Sequence, residues 1–185
     1  MTRRPILALA VLAALLTSPA GAAVPAEYQL KAAFVFNFTQ FVEWPSTAFS
    51  TADAPFVICI AGDDPFGQAL DQIVEGEAVG RHRIVVHRVS DALNLPPCHL
   101  VFLSRSAQKN LDAVLDRISP GASVLTVSDI ERFVARGGAI GLFLDRNHVR
   151  FEIGVKAAEN QRLKLSSQLL SLGRIAQPET RERRR

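Results

Sequence analysis

FVICIAGDDPFG, residues 56–67, is the stretch on which the reading of the fold turns. Six apolar residues run from Phe56 to Ala61 without a charge and stop at Gly62. An apolar run of that length, with no polar alternation, fits a strand covered on both faces. Asp63 and Asp64 follow, then Pro65 and a segment that reads as helical to Val74. Asp before Pro is the residue order of an N-cap and first helical position, so Asp64 is read as a helix cap. Strand, tight turn and helix in that order open an α/β sheet.

The alternation continues downstream. Residues 83–89, 100–103 and 123–127 read as strands, and 107–118 and 130–135 as helices. Residues 139–144 and 149–153 read as two strands joined by a turn over Asp145-Arg146-Asn147-His148. Residues 156–174 read as one closing helix. Upstream, 27–44 reads as a helix in which Phe34, Phe38, Phe41 and Val42 share one face, ended by Pro45. The expectation is a three-layer α/β sandwich: a mostly parallel central sheet, helices on both faces and a C-terminal antiparallel hairpin. No internal repeat or low-complexity linker divides residues 23–176, which are read as a single domain.

The ends read differently. Arg3 and Arg4 precede an apolar run over 6–16, followed by Pro19 and Ala20-Gly21-Ala22. This is the layout of a cleaved secretory signal peptide over 1–22, so the mature protein is expected in the periplasm. Loss of Arg3 and Arg4 lowers the formal charge from +3 to +1. A nearly neutral chain gives no electrostatic case for nucleic acid binding. Much of the remaining positive charge lies in 177–185, read as a disordered basic tail.

Two cysteines, Cys59 and Cys98, fall in the exported part. An even count in an oxidising compartment suggests a disulfide, with two buried free thiols as the alternative. In a 2-1-3 strand order the first and third strands are neighbours, which makes a bridge geometrically reasonable. Cys98-His99 has no further ligands at metal-site spacing, so no metal site is assigned.

Asp63, at the end of a strand, is the candidate for a ligand loop, because ligands of open α/β sheets bind there. Adjacent aspartates do not converge on one reacting atom, so neither is read as catalytic. Ser128 with Glu131 has the spacing of a capping box, and Ser128 is read as a second helix cap. The glycine-rich nucleotide loops and the G-x-S-x-G elbow are absent from the sequence. No cofactor is assigned. The first helix carries Tyr28, Phe34, Phe36, Phe38, Phe41 and Trp44, more aromatic surface than one face buries. Phe36 projects away from that face and is a candidate partner surface. Burial of the helix on several sides is the alternative.

Several stretches together resemble the YfiR-like periplasmic proteins: YQLKAAFVFNFTQFVEWP (28–45), FVICIAGDDPFG (56–67), CHLVFLS (98–104), VLTVSD (124–129), GGAIGLFLDRNHVRFEIG (137–154) and AAENQRLKLSSQLLSLGRI (157–175). The resemblance implies a compact α/β sandwich and a non-catalytic regulator. Such a regulator binds the periplasmic sensor region of an inner-membrane diguanylate cyclase and holds its output off. Cyclic-di-GMP and biofilm formation fall as a result. It also implies an outer-membrane lipoprotein as a sequestering partner, and homodimers. Cys59 and Cys98 match the pair expected to be common in the family. A second cysteine pair is missing, and Gly154 stands where asparagine is expected. The competing reading is a small-molecule-binding module serving another membrane sensor, such as a histidine kinase.

Overall fold

In the computed structural model, which describes residues 24–176, the stretch 56–61 is a strand buried at every position. The signal peptide read at 1–22 and the tail read at 177–185 lie outside the described residues. Helix α1 (Ala26–Gln40) comes first, then β1 (Val42–Glu43), a 3-10 turn over Ser46–Ala48, and β2 (Phe56–Ala61). Next are α2 (Gln68–Val74), β3 (Ala78–Val79), β4 (His82–Val89) and β5 (Leu100–Leu103). A 3-10 turn over Arg105–Asn110 leads into α3 (Leu111–Arg117) and β6 (Leu125–Ser128). The hairpin β7 (Ile140–Asp145) and β8 (His148–Ile153) precedes α4 (Val155–Asn160), β9 (Lys164–Leu165), α5 (Ser167–Leu172) and β10 (Arg174–Ile175).

Eight strands form one sheet in the order β10-β8-β7-β6-β5-β2-β4-β3. The pairings are parallel except β3 with β4 and the β7–β8 hairpin. The expected 2-1-3 order is present as β4-β2-β5. Period-two alternation along β2 divides its side chains between two cores. Phe56, Ile58 and Ile60 pack under α1 with Phe38, Phe66, Phe102 and Val127. Val57, Cys59 and Ala61 pack on the other face with Leu111, Val114 and Phe133. Burial of each large side chain contributes about 1.5–3 kcal/mol, so the central strand holds both layers at once. Cys59 and Cys98 form a disulfide across the β2–β5 boundary with Cα atoms 6.0 Å apart.

Three helices end or break where periodicity alone carries them on. The first stops at Gln40, not 44, because Val42–Glu43 turns to pair antiparallel with Lys164–Leu165. The Trp44 indole N–H then donates to the Thr39 carbonyl at 3.2 Å, satisfying a group at the helix end. Its buried residues are Lys31, Ala32, Val35, Phe38 and Thr39, while Phe34 and Phe41 are half-buried. The helix read at 130–135 is a run of turns, with Arg132 at φ 58°. The helix read at 156–174 breaks at Arg162, also at φ 58°, and resumes as α5, where Ser166 Oγ accepts from the Leu169 N–H at 3.1 Å. The hairpin turn is as expected, with Arg146 and Asn147 both at positive φ, the geometry of a type I′ turn.

The two caps take on other tasks. Helix α2 begins at Gln68, so Asp64 is not its N-cap. Asp64 Oδ1 instead accepts from the Phe66 N–H at 2.8 Å, and Oδ2 takes Arg88 Nε at 2.7 Å. Ser128 accepts from the Ile130 N–H at 2.9 Å and donates to the Leu103 carbonyl at 2.6 Å. It therefore fastens a turn to the sheet, with no helix following.

Gly154 explains the missing asparagine. A Cβ there would lie 2.6 Å from the Gly138 carbonyl oxygen and 3.0 Å from Val134 Cγ1. Gly154→Asn is expected to destabilise by about 1–3 kcal/mol from crowding, although asparagine is a favoured N-cap. A fall in thermal midpoint checks this, and a rise would show that the two backbones can separate freely. Replacing both cysteines in Cys59→Ala/Cys98→Ala opens a loop 39 positions long. Chain entropy puts that loss at about 4 kcal/mol, to be read from urea unfolding of the oxidised protein against the double variant.

Candidate functional site

After β2 the chain crosses to β4 on one side, then returns to β5 on the other. The crevice at the C-terminal ends of β2 and β5 is therefore the topological switch point, where open α/β sheets place ligands. Here it is closed by side chains. The Ser104 and Ser106 hydroxyls lie 2.9 Å apart, and Ser106 Oγ accepts from the Asp63 backbone N–H at 2.7 Å. Gly62 has φ 91°, and a Cβ on it would collide with both hydroxyl oxygens. The Asp63 N–H therefore faces the crevice, and the residue as a whole is exposed to solvent.

The polar centre lies one strand over, at the end of β6. Asp129 Oδ2 accepts from Lys31 Nζ at 2.7 Å and from the Tyr28 hydroxyl at 2.8 Å. Arg105 Nε sits 3.2 Å from the same oxygen. Lys31 Nζ also meets Glu27 Oε1 at 2.5 Å and lies 4.4 Å from the Tyr28 ring centroid. The Lys31 and Asp129 side chains are each 1% exposed. Glu27, Tyr28 and Lys31 reach one point because they are one turn apart on α1. Two cations thus face two carboxylates, with Asp129 shared by three donors; Lys31 and Asp129 are sealed from water, while Glu27 and above all Arg105 reach it. Such a group is hard to open: removal of Asp129 or Lys31 leaves the other buried charge with one, partly exposed counter-ion.

Asp129 Oδ1 has no hydrogen-bond partner among the described residues. A cavity of about 390 Å³ adjoins the group, walled by Arg105, Asp129, Glu131, Leu142, Glu152 and Arg174. The Tyr28 hydroxyl is pushed up to about 12, first by burial and then by its hydrogen bond to Asp129 and that carboxylate's charge. The arrangement docks a helix and keeps protons in place. Its hydroxyl and its amine, those of Tyr28 and Lys31, are both committed to Asp129.

The residues singled out in the sequence do not converge. Asp63 lies at the switch point, Asp64 with Arg88, and Ser128 beneath β5 and the turn that follows β6. Phe36 is half-buried against the α1-side core. The Cys59–Cys98 bridge sits at the entry to β5. Lys31 was the residue missed. Its signal was a lone lysine in line with Val35 and Phe38 at i+4 and i+7, a helical face that is otherwise apolar.

Asp129→Ala is expected to cost about 3 kcal/mol, the low end for breaking a buried pair, because Lys31 keeps only the partly exposed Glu27. Lys31→Met/Asp129→Leu should cost less than that single change, and urea unfolding of the two variants checks the order. Tyr28 supplies an alkaline test. Its pKa is raised in the folded state, so its contribution is whole below pH 10 and is lost as pH rises towards 12. Tyr28 is the one tyrosine in the sequence, so ultraviolet phenolate absorbance reports it alone. Phenolate appearing near pH 10 with the fold intact would show the hydroxyl to be accessible.

The sequence profile of the YfiR/HmsC-like family matches residues 28–174. None of the curated proteins matches the chain. Among the described residues no helix is long and apolar enough to cross a membrane. The family match runs from Tyr28 of the polar centre to Arg174 of β10, across the whole central sheet up to its last strand. The chain belongs to the YfiR/HmsC-like family.

Proposed function

We propose that this protein is a periplasmic regulator that acts by binding, without turnover. It docks on the periplasmic sensor region of an inner-membrane diguanylate cyclase and favours the inactive state. Cyclic-di-GMP and biofilm formation are thereby lowered. The observation that carries this reading is family membership over residues 28–174. Two features support it. The disulfide suits an oxidising compartment, and the polar groups at the strand ends are largely committed to one another. An outer-membrane lipoprotein that competes for the regulator, or a second copy of the chain, would tune the same equilibrium.

The energetics are demanding. A binder moves a receptor from mostly active to mostly inactive only through its preference between the two states. A swing from 99:1 to 1:99 takes about 10⁴-fold preference, or about 5.5 kcal/mol. Well-packed apolar contacts supply that more readily than rim charges. Among the described residues the exposed large apolar ones are Leu30, Leu144, Leu172 and Ile175, and Leu144 and Leu172 border a groove at the β8–β10 edge of the sheet. We place the partner surface at this edge and not at Phe36, which packs on the core.

The test is cyclic-di-GMP in the native host with the gene deleted, then restored. A rise on deletion that the exported protein reverses supports repression, and an unchanged level overturns it. Restoration with Leu172→Asp should fail while the purified variant stays within about 0.5 kcal/mol of the parent, as a surface change does. Phe36→Asp should instead lower the thermal midpoint.

A further inference from the structure

The N-terminal end of the sheet, where β2, β4 and β5 begin, holds two histidines around one phenylalanine. The Phe49 ring stacks on His82 at 3.5 Å between centroids and on His99 at 4.7 Å. His99 stacks in turn on Phe56 at 4.9 Å, and Trp44 closes the row edge-on. Phe49 lies in the segment 45–55, whose only regular element is the short 3-10 turn. These rings and two hydrogen bonds hold the segment to the sheet.

The hydrogen bonds fix the protonation state of His99. Its Nδ1 lies 3.0 Å from the Val57 backbone nitrogen. A backbone N–H only donates, so Nδ1 must be an acceptor and bare of hydrogen. Its Nε2 lies 3.1 Å from the Ala48 carbonyl oxygen, which only accepts, so Nε2 carries the hydrogen. The ring is therefore neutral, in one tautomer. A proton on Nδ1 would set two donors against each other at the Val57 contact. His82 differs: its Nδ1 faces the Ala54 carbonyl at 2.7 Å, a bond that both the neutral and the charged ring can donate.

We infer that His99 is a proton-sensitive latch for the segment 45–55, which is released from the N-terminal end of the sheet when Nδ1 takes a proton from solvent. The charged groups facing His99 oppose that proton. His82 faces it from β4 across the Phe49 ring, and Arg117 of α3 lines the same cleft of about 350 Å³. On the segment itself Asp53 is exposed. Among the described residues no carboxylate pairs with either histidine. Burial lowers the His99 pKa, the Ala48 carbonyl partly offsets this, and His82 adds repulsion. A lowered value means that the closed latch contributes fully above the ordinary imidazole pKa of 6.5 and is lost as pH falls through the folded-state value. Release uncovers Phe49 and the buried Phe56, a new apolar face controlled by acidity. It needs no assumption about which partner the protein serves.

The experiment is hydrogen exchange of the segment 46–57 in the folded protein from pH 7.5 down to pH 5, corrected for the chemical exchange rate. Nuclear magnetic resonance titration of the His99 ring runs in parallel. Opening is expected to grow by up to about tenfold per pH unit below 6.5, levelling off at the His99 titration point. The single tryptophan, Trp44, should change its fluorescence over the same range. In His99→Asn the side-chain carbonyl accepts from Val57 at any pH, and the dependence should vanish. In His82→Gln it should remain. If His99→Asn does not fold, the parent protein still decides. His99 titrating while the protection of 46–57 stays constant overturns the latch. So does a dependence that survives His99→Asn and disappears in His82→Gln.

Discussion

The α1 side of the molecule depends on one buried ion pair, Lys31 with Asp129. Helix α1 covers the sheet, yet its apolar residues are spread around its whole circumference. Such a helix is drawn to an apolar surface without a preferred face. Many rotations bury comparable area, and only one brings Lys31 to the end of β6. In that rotation Tyr28 reaches the same oxygen, and Val35 and Phe38 point into the core. The wrong rotations leave an ammonium in apolar surroundings, at a cost well above what slightly better packing returns. The pair need add little net stability to do this, because its effect lies in the gap between the right docking and the wrong ones.

That weak bias is also why the sequence misleads about this helix. Phe34, Phe38 and Phe41 have helical spacing and suggest a face, but the fold selects the face marked by a lysine. The strands were easier to read, because burial on both sides of a parallel sheet leaves an uninterrupted apolar run such as 56–61. The breaks at Arg132 and Arg162 carry no such mark. Neither is glycine, and what holds Arg162 in its turn comes from far along the chain. The Gly121 N–H donates to the Asn160 carbonyl at 2.8 Å, and Gln161 reaches both the Val124 N–H and the Ser119 carbonyl. A leucine-rich stretch without proline or a mid-helix glycine reads as continuous helix until those partners are known.

The candidate site was legible in position and not in composition. Sheet topology directs attention to strand ends, and Asp63 stands at one. The side chain that does the electrostatic work is Asp129, at the end of a different strand. Within the sequence it looks like part of a capping signal, SDIE. Its partner Lys31 lies 98 positions away, and no local pattern links the two. The histidines behave alike. His82 and His99 are too far apart in sequence to suggest a site, and they meet only because β4 and β5 flank β2 in the same sheet.

The two ends of the sheet are built for different responses. At the C-terminal end the Lys31–Asp129 pair is buried and tied to Tyr28, Glu27 and Arg105, so that end is fixed. At the N-terminal end the key contact rests on a bare imidazole nitrogen, the side-chain acceptor most easily filled by a proton near neutrality. The Cys59–Cys98 bridge ties the residue next to His99 back to β2. The bridge therefore limits how far opening of the segment 45–55 can separate the start of β5 from β2. A proton at His99 moves a loop and its aromatic rings, and the sheet that presents the rest of the surface stays as it was.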